Sequence, residues 1–242
     1  IINFKFYQIA IEDNTQLNNI FQQEGFDRVI HLAAQVGVRS PPGEFYRYVN
    51  SNLLGFSNVL DSCRINAIEH LLYASSSSVY GDMAVTPFKE QDIVDKPQSL
   101  YAASKRANEL MAYSYSYQYQ IPTTGLRFFT VYGPWGRPDM AYFKFTKLIE
   151  DNKKIDIYNN GEMKRDFTYI DDIIEGVFKV IKSPPKPMIS DITNAQAPFR
   201  LLNIGNNNPV TLDRFIKAIE KALSKKAKKN MLPMQDGDVP IT

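Results

Sequence analysis

The sequence is poor in the residues that make disulfides and zinc sites, with one cysteine and two histidines in 242 residues. A single cysteine, Cys63, excludes an intrachain disulfide and is the usage expected in a reducing cytoplasm. It lies in the helical pattern "SNVLDSCRI", which indicates a packed thiol rather than a nucleophile. His31 and His70 cannot form a zinc site with one distant cysteine, so we expect no metal.

Neither charge nor hydropathy indicates a nucleic-acid or membrane partner. The formal net charge is +2, and no basic face is interleaved with aromatic residues. The one basic cluster, "SKKAKKN" at 224–230, is typical of a solvated helix end. No apolar run approaches membrane-spanning length. With 44% hydrophobic and 22% charged residues, the composition is that of a soluble globular protein.

The sequence also lacks a glycine-rich turn near its start. A parallel sheet that binds a dinucleotide is expected to open with a strand, such a turn and a helix. Here the first glycine is Gly25, after a predicted strand at 4–11 and a predicted helix at 14–23 capped by Asn14. Because residue 1 is isoleucine and the chain begins almost directly in a strand, we expect the opening βαβ unit to be missing from this sequence.

What the sequence does contain is a regular alternation of strand-like and helix-like segments. Further strands are predicted at 27–34, 69–76 and 123–129, and further helices at 45–64 and 100–119. This alternation predicts an α/β doubly wound parallel sheet.

After "YGPWGRP" (132–138) the pattern becomes irregular and the helices shorter. We therefore predict a first domain at 1–134 and a smaller lobe at 135–242, with segments that return to the sheet. The segment 183–198 is predicted to be a surface loop.

A possible proton-transfer pair lies in "SLYAASKRANEL" (99–110). Tyr101 and Lys105 are four residues apart and share one helix face. A free tyrosine titrates near pH 10, so it is a poor base at neutral pH unless a nearby cation favours the phenolate. Tyr-x-x-x-Lys occurs often by chance, and an exposed helical pair is the alternative interpretation.

The serine run in "YASSSSVYG" (73–81) makes the chemical interpretation stronger. It follows a predicted buried strand, so its hydroxyls emerge at the carboxyl end of the sheet, where open α/β folds bind ligands. Ser76 and Tyr101 could then hold one substrate hydroxyl together, the serine fixing it and the tyrosine taking its proton. A polar turn remains the alternative for the serines alone.

Five segments resemble the extended short-chain dehydrogenase/reductase family: "HLAAQVGVR", "YASSSSVYG", "SLYAASK", "LRFFTVYGPWGRPDM" and "MKRDFTYIDDI". The chain is most similar to the nucleotide-sugar epimerases that act on UDP-glucuronate, and "FFTVYGPWGRPDMA" followed by "KRDFTYIDD" is the specific part of the likeness. The resemblance implies a Rossmann-like fold and bound NAD. It further implies 4-epimerisation of UDP-glucuronate to UDP-galacturonate through a 4-keto sugar, in the cytoplasm and in support of polysaccharide biosynthesis.

The same resemblance implies the roles of individual residues. Tyr101 removes the proton of the sugar 4-hydroxyl while hydride passes from C4 to the nicotinamide, Lys105 contacts the nicotinamide ribose and lowers the tyrosine pKa, and Ser76 binds the 4-oxygen. The implied cofactor-binding positions are Ile11, Leu32, Ala33, Ala34, Asn52, Tyr101, Lys105 and Phe128. The implied substrate-binding positions are Ser76, Ser77, Ser78, Thr130, Arg137 and Arg165.

Within the substrate set, Arg137 with Thr130 would hold the sugar carboxylate, since a guanidinium matches a carboxylate at two points. Arg165 would hold the diphosphate or its ribose, and the neighbouring Asp166 is interpreted as a structural anchor of the turn into "TYIDDI". One departure concerns the cofactor: Ala10 stands where the family usually has an aspartate that binds adenine, so adenine recognition would rest on the backbone near Ile11.

Several alternatives remain open. A UDP-glucose 4-epimerase lacks the "TVYGPWGRPDM" loop with its arginine, and a 4,6-dehydratase or a UDP-glucuronate decarboxylase usually has an acidic residue where this chain has serines. A catalytically silent protein on the same fold would be consistent with the absent glycine turn. The resemblance also implies a homodimer formed through the helices at 45–64 and 100–119.

Overall fold

The structure is a computed structural model that describes residues 3–39, 43–83, 85–187, 196–235 and 238–242. Its helices are α1 (Asn14–Glu24), α2 (Phe45–Tyr48), α3 (Gly55–Ile65), α4 (Leu100–Tyr119), α5 (Ala141–Glu150), α6 (Ile170–Ile181) and α7 (Leu212–Leu223). Its strands are β1 (Arg28–His31), β2 (His70–Ser76), β3 (Thr123–Phe128), β4 (Thr130–Tyr132), β5 (Lys154–Ile157), β6 (Lys164–Tyr169), β7 (Phe199–Ile204), β8 (Pro209–Thr211) and β9 (Lys228–Met231).

The main sheet has four parallel strands in the order β1-β2-β3-β7. The ends of β2, β3 and β7 are in register, because Ser76 pairs with Phe128 and Phe128 with Ile204. Parallel strands that end together place the residues that follow them at a single edge of the sheet.

Helices cover both faces of this sheet. Leu71 and Tyr73 on β2 pack against α1, α3 and α4, whereas Leu72 between them packs against α6 on the other side. Alternate residues of a strand point to opposite faces, so the continuous apolar run of β2 serves two cores. The predicted doubly wound α/β fold is confirmed.

The predicted strand at 4–11 is wrong. No described strand pairs with this segment, and β1 lies at the edge of the sheet. Phe4 and Phe6 are 69% and 76% exposed. Instead, Lys5 donates to Glu24 of α1 at 2.8 Å, so the segment is held by side chains. A strand needs a hydrogen-bonded neighbour, which apolar alternation cannot supply.

Three element boundaries also differ from the predictions. The cap of α1 is Asp13 rather than Asn14, since its carboxylate accepts the backbone N–H of Gln16 at 3.0 Å. The strand predicted at 27–34 ends at His31. The helix predicted at 45–64 contains a π-helical stretch, Val49–Leu54, between α2 and α3.

The later part of the chain builds a second core. There β4, β6 and β8 form one small sheet and β5 pairs with β9, while α5 and α7 enclose an apolar cluster around Ile149, Ile155 and Ile216. Helix α6 packs against the main sheet and β7 is one of its strands. The chain therefore crosses between the two cores more than once.

The domain boundary at 134/135 stays a prediction. Of the loop predicted at 183–198, residues 188–195 lie outside the described residues. Among the described residues, none of the helices combines the length and the hydropathy of a membrane-spanning segment.

Candidate functional site

A cleft of about 930 Å³ opens at the carboxyl edge of the main sheet. It is lined by the ends of β1, β2 and β3, the first turns of α4 and the loop that follows β4. The predicted site residues that line it are Leu32, Ala34, Ser76, Ser77, Ser78, Tyr101, Lys105, Phe128, Thr130, Arg137 and Arg165. The structure thus brings together residues that are far apart in sequence.

Tyr101 and Lys105 reach the cleft because α4 begins at its wall. The Ser99 hydroxyl caps the helix by accepting the backbone N–H of Ala102 at 3.1 Å. This start places Tyr101 in the first turn and Lys105 one turn later, on the same face. The helix extends from Leu100 to Tyr119, as the sequence predicted.

Ser76 is positioned by the short 3₁₀ turn Ser77–Tyr80 that follows β2. Its Oγ accepts hydrogen bonds from the Ser78 backbone N–H at 3.2 Å and from the Ser78 hydroxyl at 2.9 Å. A hydroxyl has two acceptor positions and one donor, so these two bonds leave the Ser76 proton to be donated elsewhere. A hydrogen bond from Ser76 lowers the pKa of the Tyr101 phenol.

The protonation of Tyr101 differs from what the sequence predicted. Burial raises the pKa of Tyr101 above its ordinary value, and the Ser76 hydrogen bond and the positive charge of Arg137 oppose this rise. That Lys105 lowers this pKa stays a prediction. The Lys105 ammonium lies 6.0 Å from the centre of the tyrosine ring and donates to the Ala74 carbonyl at 2.8 Å.

Lys105 is itself an unusual group, being 2% exposed. Burial lowers its pKa to about 8. An ammonium has three donors, and the bond to Ala74 uses one of them. Since Lys105 also lines the cleft, it has donor capacity for a hydroxyl-bearing ligand.

Asn52, Ile11 and Ala33 do not line the cleft. Asn52 is 1% exposed and binds the backbone of Gln35 twice, accepting from its N–H at 2.8 Å and donating to its carbonyl at 3.0 Å. It therefore holds the loop after β1 rather than facing the cavity.

The side chain of Ile11 lies against Gly55, where an added Cβ would stand 2.6 Å from Ile11 Cδ1, and its carbonyl accepts from the amide of Asn58 at 3.0 Å. The backbone near Ile11 was predicted to recognise adenine, but the Ile11 carbonyl already accepts a hydrogen bond from Asn58.

Arg137, the residue predicted to bind the sugar carboxylate, is paired with Asp139 in the structure. Its Nε donates to Asp139 Oδ1 at 3.0 Å and its Nη2 donates to Asp139 Oδ2, so the guanidinium fork is closed by a carboxylate of the same loop. Both side chains are about half exposed. The loop bends at Gly133, whose φ is +137° and where a Cβ would lie 2.6 Å from Ile170 Cγ2.

A second set of charges lies at the mouth of the cleft, where Arg39, Arg165 and Asp238 all contribute to its lining. Arg39 pairs with Asp238 at 2.7 Å, and Arg165 donates to the Pro240 carbonyl at 3.2 Å. Burial lowers the pKa of Arg165, which Asp238 partly offsets. Asp166 does not face this group.

Asp166 is 4% exposed and accepts the backbone N–H groups of residues 206–208 at 2.8 to 3.2 Å. It anchors the turn between β7 and β8, rather than the turn into "TYIDDI" that the sequence analysis assigned to it.

Beneath the serine turn, a fully buried ion pair joins α4 to β3. Glu109 and Arg127 are each 1% exposed and make two bonds of 2.8 Å. Glu109 also accepts the hydroxyl of Ser75 at 2.7 Å, and Arg127 donates to Tyr80 at 2.9 Å. The pair thus fixes both ends of the segment that carries Ser76.

Sequence reasoning missed Asp139, Arg39 and the pair Glu109–Arg127. Asp139 had a usable signal, because it lies two residues after an arginine already singled out. Arg39 lies in the quoted segment "HLAAQVGVR". Glu109 and Arg127 are 18 residues apart on a helix and a strand, and no local pattern pairs them.

Known proteins are similar to this chain over most of its length. Residues 2–194 match the family described as the NAD dependent epimerase/dehydratase family. Protein CapI of Staphylococcus aureus is 50% identical over 246 residues, covering 99% of this chain and 74% of the relative. A protein of Rhizobium meliloti called probable UDP-glucuronate 4-epimerase is 46% identical, with 99% and 72% covered.

Among solved structures, the UDP-glucuronic acid 4-epimerase of Bacillus cereus, in complex with UDP-glucuronic acid and NAD, superimposes with a TM-score of 0.86 at 32% identity. The match covers 99% of this chain and 72% of that one. The match to the family over residues 2–194, the relatives' identity and the shared fold lead to one conclusion: this chain belongs to the NAD dependent epimerase/dehydratase family.

Proposed function

We propose that this chain is an NAD-dependent isomerase that converts UDP-glucuronate to UDP-galacturonate by epimerisation at C4. Family membership supports the NAD-dependent UDP-sugar 4-epimerase activity, and the names of the relatives support the choice of sugar. The observation that carries the proposal is that Arg137 and Tyr101 line the same cleft, so a carboxylate held by Arg137 and the proton acceptor Tyr101 can contact one bound sugar.

In this proposal Tyr101 accepts the proton of the sugar 4-hydroxyl and returns it after the 4-keto sugar has turned over. Ser76 donates to the 4-oxygen, which its bonds to Ser78 prepare it to do. The N-terminus of α4 also favours negative charge near Tyr101. Ser77 and Ser78 border the same part of the cleft and complete the set of hydroxyl contacts.

The residues present fit the nicotinamide half of NAD. Lys105 has spare donors towards the cleft for a ribose hydroxyl, while Leu32 and Ala34 line the wall after β1 and Phe128 the end of β3. The chemistry that NAD+ supplies when bound is reversible hydride acceptance. Asn52 contributes by holding the backbone of residue 35 in place.

Two further groups fit a UDP-sugar acid. Thr130 and Arg137 lie in the cleft and offer a hydroxyl and a guanidinium to a carboxylate. Arg165, partly buried at the cleft mouth, is suited to the diphosphate.

The direct test is incubation of the purified protein with UDP-glucuronate and NAD+. Release of UDP-galacturonate is the expected result. UDP-xylose with carbon dioxide would identify a decarboxylase, and absence of turnover would identify a silent member of the family.

The Tyr101→Phe variant tests the proton acceptor. We expect loss of turnover with unchanged NAD+ affinity, because the substitution removes only the ionisable oxygen. Steady-state rates and a binding titration measure the two effects. Turnover comparable to the unchanged protein would remove Tyr101 from the mechanism.

The Arg137→Ala variant tests the carboxylate site. We expect kcat/KM to fall with UDP-glucuronate much more than with UDP-glucose. The difference in transition-state free energy between the two sugars should be about 1.5–3 kcal/mol, the range for hydrogen bonds to charged groups. Equal losses on the two sugars would show that Arg137 has a structural role instead.

We also infer a homodimer formed through the helices that precede and include α3 and through α4. These neighbouring helices leave large apolar side chains half exposed, among them Leu54, Ile65, Leu110, Tyr113 and Tyr117. Light scattering on the eluted protein should give twice the chain mass of 27.7 kDa, and Leu110→Glu should give the monomer. A monomeric unchanged protein would contradict the inference.

The buried free thiol of Cys63 supports a location in the cytoplasm.

A further inference from the structure

The Arg137–Asp139 pair has the geometry of the contact proposed for the substrate. Nε and Nη2 of Arg137 each meet one oxygen of Asp139, the two-point arrangement that a sugar carboxylate would also adopt. Both residues line the cleft, as does Tyr101. The Nε–Nη2 edge of Arg137, which matches a sugar carboxylate, is therefore already occupied by a carboxylate of the chain itself.

Two carboxylates cannot use the same edge of the guanidinium at once, because its two donors match two oxygens. They would also repel each other at that distance. A substrate that binds Arg137 through this edge must displace Asp139. Displacement is cheap for a pair that is 46% and 54% exposed, since solvent screens such pairs and solvates the released carboxylate.

Resting on the proposed function, we propose that Asp139 is an internal competitor for Arg137 that is displaced when the carboxylate of a UDP-sugar acid binds. Asp139 thereby sets the affinity for acidic sugars and leaves neutral sugars unaffected. It also keeps the guanidinium in the cleft when no substrate is bound.

The test compares dissociation constants of the unchanged protein and Asp139→Asn for UDP-glucuronate and UDP-glucose, measured by calorimetry. The asparagine retains the shape of the side chain but removes the charge that competes. We expect Asp139→Asn to bind UDP-glucuronate about twofold to fivefold more tightly, the scale of an exposed ion pair, and UDP-glucose equally well.

Asp151→Asn is the matched control. Asp151 also pairs with a cation two residues away, Lys153 at 3.2 Å, and is exposed, but it does not line the cleft. It removes the same unit of charge from the protein, so it should change neither constant. In an Arg137→Ala background, Asp139→Asn should no longer improve UDP-glucuronate binding.

Weaker binding of UDP-glucuronate by Asp139→Asn would overturn the proposal, because Asp139 would then orient Arg137 for the substrate. So would an unchanged constant, or an equal gain on both sugars. The proposed function is tested separately by turnover of UDP-glucuronate in the unchanged protein, because the binding constants depend on the carboxylate contact and not on whether catalysis follows.

Discussion

Replacing Glu109 by glutamine should destabilise the protein severely. Glu109 and Arg127 are each 1% exposed and meet through two bonds of 2.8 Å. The other partners of Arg127 in the structure are the Tyr80 hydroxyl at 2.9 Å and the Glu90 carbonyl at 3.3 Å, both neutral. Glu109→Gln would leave a buried guanidinium without its counter-ion. Removing one member of a buried ion pair costs about 3–5 kcal/mol.

The assay is equilibrium unfolding in urea, with thermal unfolding as a second measurement. For a chain of this size each kcal/mol lowers Tm by about 2–4 °C, so we expect a fall of about 6–20 °C. Glu175→Gln is the control, since Glu175 pairs with Lys179 at 2.5 Å on the exposed face of α6 and should cause no measurable change.

If Glu109→Gln lowered the free energy of unfolding by less than about 1 kcal/mol, the reasoning would be refuted, because exposed, solvated ion pairs contribute up to that amount. The result would mean that water reaches Arg127. Because Glu109 also binds Ser75, next to Ser76, a large loss would further indicate that the ion pair stabilises the segment that carries the proposed catalytic serine.

Two further changes should alter stability in defined directions. The folded pKa of Lys105 is about 8 against an ordinary 10.5, so the unfolded chain binds more protons between these values and stability should rise with pH across that window. Lys105→Met should abolish this rise and stabilise the protein at pH 7 by about 2 kcal/mol. Removing the buried charge contributes about 3 kcal/mol, and losing the hydrogen bond to Ala74 costs about 1 kcal/mol. If the variant kept the pH profile of the unchanged protein in urea unfolding, the shifted pKa of Lys105 would be contradicted. Gly125→Ala should cost about 1–3 kcal/mol, because a Cβ there would lie 2.5 Å from the hydroxyl of buried Tyr73. Gly176→Ala in α6, with nothing within 4 Å, should instead stabilise by about 0.5–1 kcal/mol, and equal effects at the two glycines would show that space does not decide the outcome.

Local patterns were enough for the elements that carry the site. Helix α4 begins where it was predicted to begin because Ser99 caps its start. Within the helix, residues four apart share a face, which places Tyr101 and Lys105 on the same side. The apolar run of β2 followed by serines likewise predicted hydroxyls at the carboxyl edge of a parallel sheet. Period and capping are properties of neighbouring residues, so a sequence displays them.

Tertiary structure alone decided where charges and strands found partners. The segment 4–11 alternates like a strand but has no described neighbour to pair with. Lys105 donates to Ala74 and Arg137 donates to Asp139, and the charge of Arg137, on a distant loop, lowers the pKa of Tyr101. Hydrogen bonds and Coulomb energies depend on distances through space and on burial, which the order of residues along the chain does not specify.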